Sequence, residues 1–142
     1  MSERRKSVLI TIAVIGIIVG AVMTPVAVIA FRHWLEFNEA FRAYKTALLR
    51  ADYSTAYRWS SPEFRAATPY PEFVAQQLQM TAAFGPLKAI HLGETEVHGH
   101  GKPWFWEAIA HAEFTYQRTT ATFICSFRNK NGRWELYGYR RL

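Results

Sequence analysis

Hydrophobic positions follow three regimes along the chain. Across residues 8–31 they are continuous: VLITIAVIGIIVGAVMTPVAVIAF contains 24 residues and no charged side chain. Wound as an α-helix at about 1.5 Å per residue, the run is about 36 Å long, enough to cross a hydrocarbon core of about 30 Å with some tilt. From Arg32 to Phe84 apolar residues recur at three- and four-residue spacing, and beyond Pro86 they alternate with polar ones. A membrane span, a helical region and a sheet are expected, in that order.

Within the apolar run Pro25 lacks the N–H that would bond a carbonyl one turn back, and the hydroxyl of Thr24 is placed to take that carbonyl, with a mild kink. Two other readings compete with a retained anchor. Arg4, Arg5 and Lys6 form a basic n-region and Val28-Ile29-Ala30 resembles the small-residue pattern of a cleaved signal, although the run is long for an h-region. A buried core helix of this length would be unusual in so small a soluble domain. Gly16, Gly20 and Thr24 share one face as a small-xxx-small motif, which suits close approach of a second helix. Three basic residues precede the run, whereas Arg32 after it is balanced by Glu36 and Glu39. That bias puts residues 1–7 in the cytoplasm, the span at 8–31, and residues 32–142 outside, across a cell (inner) membrane.

After the span, Trp34, Phe37, Phe41, Tyr44 and Leu48 form an aromatic stripe, with Glu36, Glu39, Arg42 and Lys45 on the other faces. The spacing predicts a core-facing amphipathic helix, with Trp34 also suited to the lipid boundary. Asp52 can cap a short second helix beginning at Tyr53, which Ser60-Ser61-Pro62 ends. Residues 63–68 read as a loop or single turn. Pro71 suits the first turn of a third helix, PEFVAQQLQMTAAF, with Phe73, Gln77, Met80 and Phe84 on one side and Val74, Leu78 and Thr81 beside them; Gly85-Pro86 stops it.

The alternating region divides into strands at 87–97, interrupted by Gly93, then 104–116, 119–130 and 133–140, with His98-Gly99-His100-Gly101 and Pro103 read as a loop. Asn131-Gly132 predicts a two-residue type I′ hairpin with positive φ at both positions. That turn pairs Lys130 with Arg133, Phe127 with Leu136 and Cys125 with Gly138. A tight connection at Gln117-Arg118 pairs Phe114 with Ala121, Ala112 with Phe123 and Ala110 with Cys125. One face then collects Ala108, Ala110, Ala112, Phe114, Ala121, Phe123, Cys125, Phe127, Trp134 and Leu136, and is the buried one. The other holds Glu107, Ile109, Ile124, Arg128, Glu135, Tyr137 and Tyr139, with Arg128 between Glu107 and Glu135. The centre of the inner face is small, so either a helix approaches closely or a cavity remains.

The chain has 142 residues and a formal net charge of +6. Beyond the span, 14 basic and 10 acidic residues are spread along the sequence. Without a basic cluster a nucleic-acid partner is not expected, whereas mild attraction to anionic head groups is. About 110 residues make one domain. Cys125 is the single cysteine, so no intrachain disulfide forms, and its place in a strand makes it a small buried hydrophobe.

The helix order, Asp52-Tyr53, Ser61-Pro62-Glu63-Phe64-Arg65, Phe84-Gly85-Pro86-Leu87 and the closing Gly132-Arg133-Trp134-Glu135-Leu136-Tyr137-Gly138-Tyr139 resemble the nuclear transport factor 2-like (cystatin-like) superfamily. They are closest to bacterial, membrane-anchored members without an assigned function. The resemblance implies an α+β fold in which three helices and a curved, mostly antiparallel four-stranded sheet form a cone. It also implies that enzymes of this fold, such as ketosteroid isomerases and polyketide cyclases, place acids or bases inside the cone.

No such group falls on the inward face, where Tyr44 and Tyr57 are the only polar tips that could reach a pocket. His98 and His100 are the weak metal candidates, with His91 as a possible third nitrogen, but a site needs three or four ligands held in geometry. No phosphate loop, catalytic triad or paired-cysteine motif is present, and no cofactor is called for. The expected protein is a single-pass, non-catalytic binding or assembly module. It acts through Ile109, Ile124, Tyr137, Tyr139, Glu107, Arg128 and Glu135 on a second copy or a membrane-protein partner. The competing readings are a small-ligand carrier or isomerase-like enzyme using the cone interior, and a subunit of a secretion-type membrane complex.

Overall fold

The computed structural model describes residues 3–102 and 104–142, with side chains from residue 8 onward. Met1, Ser2, Pro103 and the side chains of Arg4, Arg5 and Lys6, on which the expected orientation rests, lie outside the described residues. The chain divides into two compact units, Met1–Trp34 and Leu35–Leu142.

Helix α1 (Glu3–Leu49) carries the apolar run and continues into the amphipathic stretch. Every side chain across residues 8–29 is exposed, so this run is not a core helix. Leaving a Val, Leu or Ile in water rather than burying it costs about 1.5–3 kcal/mol each. Among the described residues this is the one helix long and apolar enough to cross a membrane. Thr24 Oγ1 donates to the Gly20 carbonyl at 2.6 Å. The expected partner was the carbonyl four residues before Pro25, that of Ala21; a helical threonine instead reaches its own i−4 carbonyl.

The unit Leu35–Leu142 is α+β. Its part of α1 buries Phe37, Ala40, Phe41, Tyr44, Ala47 and Leu48, a single stripe at helical spacing. The Asp52 side chain accepts from the Thr55 N–H at 3.1 Å and starts α2 (Tyr53–Arg58). Residues 63–68, expected as a loop or single turn, fall largely in a short helix, α3 (Pro62–Ala67), with Ser61 as its N-cap and Pro62 in its first turn. Ser61 Oγ accepts from the Phe64 N–H at 3.1 Å; the same Ser-Pro that stops one helix opens the next, because proline is tolerated where no N–H is needed. Helix α4 (Tyr70–Phe84) buries Phe73 and Gln77, while Leu78, expected beside the buried stripe, is 54 % exposed.

Four antiparallel strands follow in the order β1 (Leu87–His100), β2 (Phe105–Tyr116), β3 (Thr120–Asn129) and β4 (Trp134–Arg141), each paired with the next. The β2–β3 register is as expected, with Phe114 opposite Ala121, Ala112 opposite Phe123 and Ala110 opposite Cys125. β1 does not end at Val97: His98 pairs with Glu107 and His100 with Phe105, so the expected histidine loop is strand, with an irregularity between Leu92 and Thr95 around Gly93. Glycine and histidine have little strand preference of their own, and the ladder to β2 overrides it.

The β3–β4 hairpin departs from expectation twice. Only Gly132 has positive φ, 78°, and Asn131 does not, so the turn is not type I′. Residues 130–133 form a four-residue loop in which Asn129 Oδ1 accepts from the Gly132 N–H at 2.9 Å. Pairing then runs Arg128 with Glu135 and Phe127 with Leu136, shifts, and resumes with Ser126 opposite Gly138 and Cys125 opposite Tyr139. Tyr137 is the extra residue of this bulge. Beyond it the faces exchange, so that Tyr139 and not Gly138 stands across from Cys125 on the inner side. Volume explains the choice: a glycine among Ala110, Ala112 and Cys125 would leave the sheet centre underfilled, and a tyrosine fills it. Next to them, Phe37, Phe41 and Tyr44 of α1 converge on Phe127, the partner of Ala108, at ring-centroid distances of 5.5, 6.0 and 5.9 Å. Large helix side chains therefore occupy the space that the small strand residues leave.

Candidate functional site

The outer face of the sheet carries one side chain from each strand in a continuous row. His100 of β1 stacks on Phe105 of β2 with centroids 4.5 Å apart. The Arg128 guanidinium of β3 lies 5.0 Å from the Phe105 ring and 3.5 Å from the Tyr137 ring of β4. Such cation–π contacts hold a flat guanidinium against aromatic faces. The bulge presents Tyr137 to this row.

Glu107 anchors the row from below. Its Oε1 accepts from Arg128 Nε at 3.0 Å and from Ser126 Oγ at 3.1 Å, and its Oε2 lies 3.3 Å from His100 Nε2. Burial on its own would push the Glu107 carboxyl up, but the hydrogen bonds from Arg128 and Ser126 and the charges of Arg128 and His100 outweigh it and hold the carboxyl below its usual value. The expected Glu107–Arg128 pair is thus present. Glu135 stands opposite Arg128 in the ladder, while the guanidinium turns to Glu107. Ile109 and Ile124 are half-buried on the same face, opposite Ser126 and His111 of the neighbouring strands. Beside the row a cleft of about 370 Å³ opens at the β4 edge, lined by Arg128, Tyr137, Glu135, Lys130 and Glu63 among others. Phe105 and His100 complete this row beyond the residues expected in it. Phe105 shares the two-residue parity of Glu107, a signal present in the sequence, whereas His100 falls in the segment expected to be a loop.

Tyr139, expected on this face, belongs to the inner one. Its hydroxyl donates to Gln76 Oε1 at 2.8 Å and accepts from Gln77 Nε2 at 3.5 Å, tying β4 to α4. Burial pushes its phenol up to about 12. Burial likewise pushes the Cys125 thiol up to about 12. It also pushes the Tyr44 phenol well above 10.0, and the nearby Cys125, Tyr139 and Tyr116 groups raise it further. Tyr116 donates from its hydroxyl to the Met80 sulfur at 3.5 Å. These four groups all hold their protons more tightly than free side chains do.

Tyr57 is placed differently from Tyr44. Its hydroxyl donates to the Thr68 carbonyl at 2.9 Å, and its ring packs on Tyr70 and Phe73 at 5.2 and 5.5 Å. It fastens α2 to the connection between α3 and α4.

His98 and His100 do not converge: His98 Nε2 lies 3.0 Å from Glu96 Oε2 and His100 turns to Glu107. His91 stands beyond the Gly93 irregularity, opposite Glu113. Among the described residues no group of three or more His, Cys, Asp or Glu is close enough to hold a metal ion. In α1, a Cβ added at Gly16 or Gly20 meets nothing within 4 Å.

No protein-family model matches this chain, and no curated protein matches it. The functional reading therefore rests on the geometry of the sheet faces and the span.

Proposed function

We propose that this protein is a single-pass, membrane-anchored binding or assembly module of nuclear transport factor 2-like fold, acting through the outer face of its sheet. The N-terminus is cytoplasmic and the domain extracytoplasmic. The observation that carries the proposal is the ordered row of His100, Phe105, Arg128 and Tyr137 over Glu107. Aromatic rings and an arginine, preorganised around a satisfied carboxylate and flanked by Ile109 and Ile124, are the composition enriched at the centres of protein interfaces. The partner is a second copy or another membrane protein.

The inner face supports this reading over a cone enzyme. General acid–base chemistry works best with a group titrating near the working pH, and the inner Tyr44, Tyr116, Tyr139 and Cys125 are all shifted upward. Crosslinking and pull-down of the full chain from native membranes tests the proposal. Ile124→Glu is expected to remove the crosslinked species without lowering the unfolding midpoint. Tyr44→Phe and Tyr57→Phe are expected to keep it. Loss of function with the tyrosine changes at preserved fold, and none with Ile124→Glu, would move the working site to the inner face.

A further inference from the structure

A second cleft opens where α2 meets the start of β4, and it shares Arg133 with the cleft beside the outer-face row. Its volume is about 460 Å³, and it is lined by Thr55, Arg58, Trp59, Arg65 and Arg133. Three guanidinium groups line it and no carboxylate does. Two are held in position by neutral acceptors: Arg58 Nη2 donates to Thr55 Oγ1 at 2.9 Å, and Arg133 Nη2 donates to the Arg58 carbonyl at 3.0 Å. Arg133 also lies over the Trp59 ring, 4.9 Å from its centroid. The nearby acids lie outside the lining: Asp52, whose carboxylate accepts from the Thr55 N–H and feels the Arg58 charge, and Glu63 and Glu135, which line the adjoining cleft with Arg133. Fixing like charges around one cleft with neutral partners leaves part of their repulsion uncompensated, and an anion entering the cleft relieves it. Guanidinium groups suit phosphate oxygens because they donate two parallel hydrogen bonds.

Chain length says which phosphate is at hand. Phe37 lies six positions after Phe31, the end of the apolar run, a reach of at most about 20 Å even fully extended. Phe37 packs on Trp134 at 5.6 Å, and Trp134 directly follows Arg133. If the apolar run is in a bilayer, so short a tether keeps lipid head groups within reach of the domain, and tethering makes even a weak site effective. At the same end of the sheet, beside the Phe105–His100 pair, Trp104 is 81 % exposed, and indole rings favour the membrane–water boundary.

We propose that Arg58, Arg65 and Arg133 form a site for the phosphate of an anionic lipid head group, through which the domain rests on the membrane that anchors it. The inference rests on the membrane-span part of the proposed function and is independent of the outer-face partner.

The test uses the full chain in detergent, incubated with an equimolar mixture of phosphatidylcholine and phosphatidylglycerol, with native mass spectrometry counting the retained lipids by class. The wild type is expected to retain phosphatidylglycerol preferentially. Arg65→Gln, at a side chain with no hydrogen bond or ion pair among the described residues, is expected to cut that preference about fivefold. The triple change of Arg58, Arg65 and Arg133 to Gln is expected to abolish it, and Lys88→Gln, the charge-matched control at the other end of the sheet, to leave it intact. No preference in the wild type, or an equal fall in Lys88→Gln and Arg65→Gln, would overturn the proposal. So would displacement of the lipid by inorganic phosphate, which would make the site one for a free anion. Failure of the span to insert into bilayers would show separately as recovery of the chain in the aqueous fraction.

Discussion

Cys125 and Tyr139 face each other across β3 and β4, and both are pushed up to about 12 by burial, from ordinary values of 9.0 and 10.0. Between those limits the folded chain keeps protons that the unfolded chain releases. Their contribution to stability is therefore complete below pH 9.0 and is lost as pH rises toward about 12. Each group costs about 1.4 kcal/mol per pH unit once its unfolded form has ionised. Chemical denaturation of the detergent-solubilised chain should show stability level near neutrality and falling above pH 9.0. Tyr139→Phe should make the fall shallower above pH 10.0. At neutral pH the same substitution should cost about 1–2 kcal/mol, because it removes a hydrogen bond and leaves Gln76 Oε1 short of a donor. The shielding of Cys125 was legible from strand parity, since Phe123, Cys125 and Phe127 alternate with polar neighbours. The inward turn of Tyr139 was not, because strict alternation puts it on the opposite side.

At the scale of elements, the β3–β4 hairpin separates two turn geometries that the dipeptide Asn131-Gly132 permits equally. In a type I′ turn both residues need the left-handed region, and Asn131→Ala would be costly. With positive φ at Gly132 alone, Asn131→Ala should change stability by less than about 0.5 kcal/mol. Gly132→Ala should cost about 1 kcal/mol, as a side chain is forced into the left-handed region. Urea midpoints of the two variants decide the matter. The bulge at Tyr137 depends on this loop and on the inner-face volume together, and it presents Tyr137 to the Arg128 guanidinium while turning Tyr139 inward. Helix α3 makes the same point on a smaller scale: Ser61-Pro62 is a stop read from one side and a cap read from the other.

For the whole molecule, the proposed topology makes two expectations. A reporter fused after Leu142 should be active only outside the cytoplasm, and the mature protein should retain its first thirty residues. A soluble form beginning at Phe31 would identify the run as a cleaved signal, and activity on the cytoplasmic side would reverse the orientation. Either result leaves the sheet geometry intact, because the unit Leu35–Leu142 is compact by itself.

Wherever a single local rule operates, the sequence alone was decisive. Length and the absence of charge defined the apolar helix, three- and four-residue spacing picked the buried stripe of α1, and alternation with the Gln117-Arg118 connection set the β2–β3 register and with it the Glu107–Arg128 pair. Tertiary structure decided the points at which local rules tie. His98-Gly99-His100 is strand because β2 supplies hydrogen-bond partners that outweigh weak propensity. The β3–β4 faces exchange because the small centre of the sheet needs a tyrosine more than it needs an unbroken ladder. Arg58, Arg65 and Arg133, scattered by up to 75 positions, meet at one cleft because the segment after α2 lies against β4, with the Leu136 N–H donating to the Trp59 carbonyl at 2.7 Å. Pattern along a chain records which face a residue prefers; volume and pairing between distant segments are not local quantities, and only the folded chain expresses them.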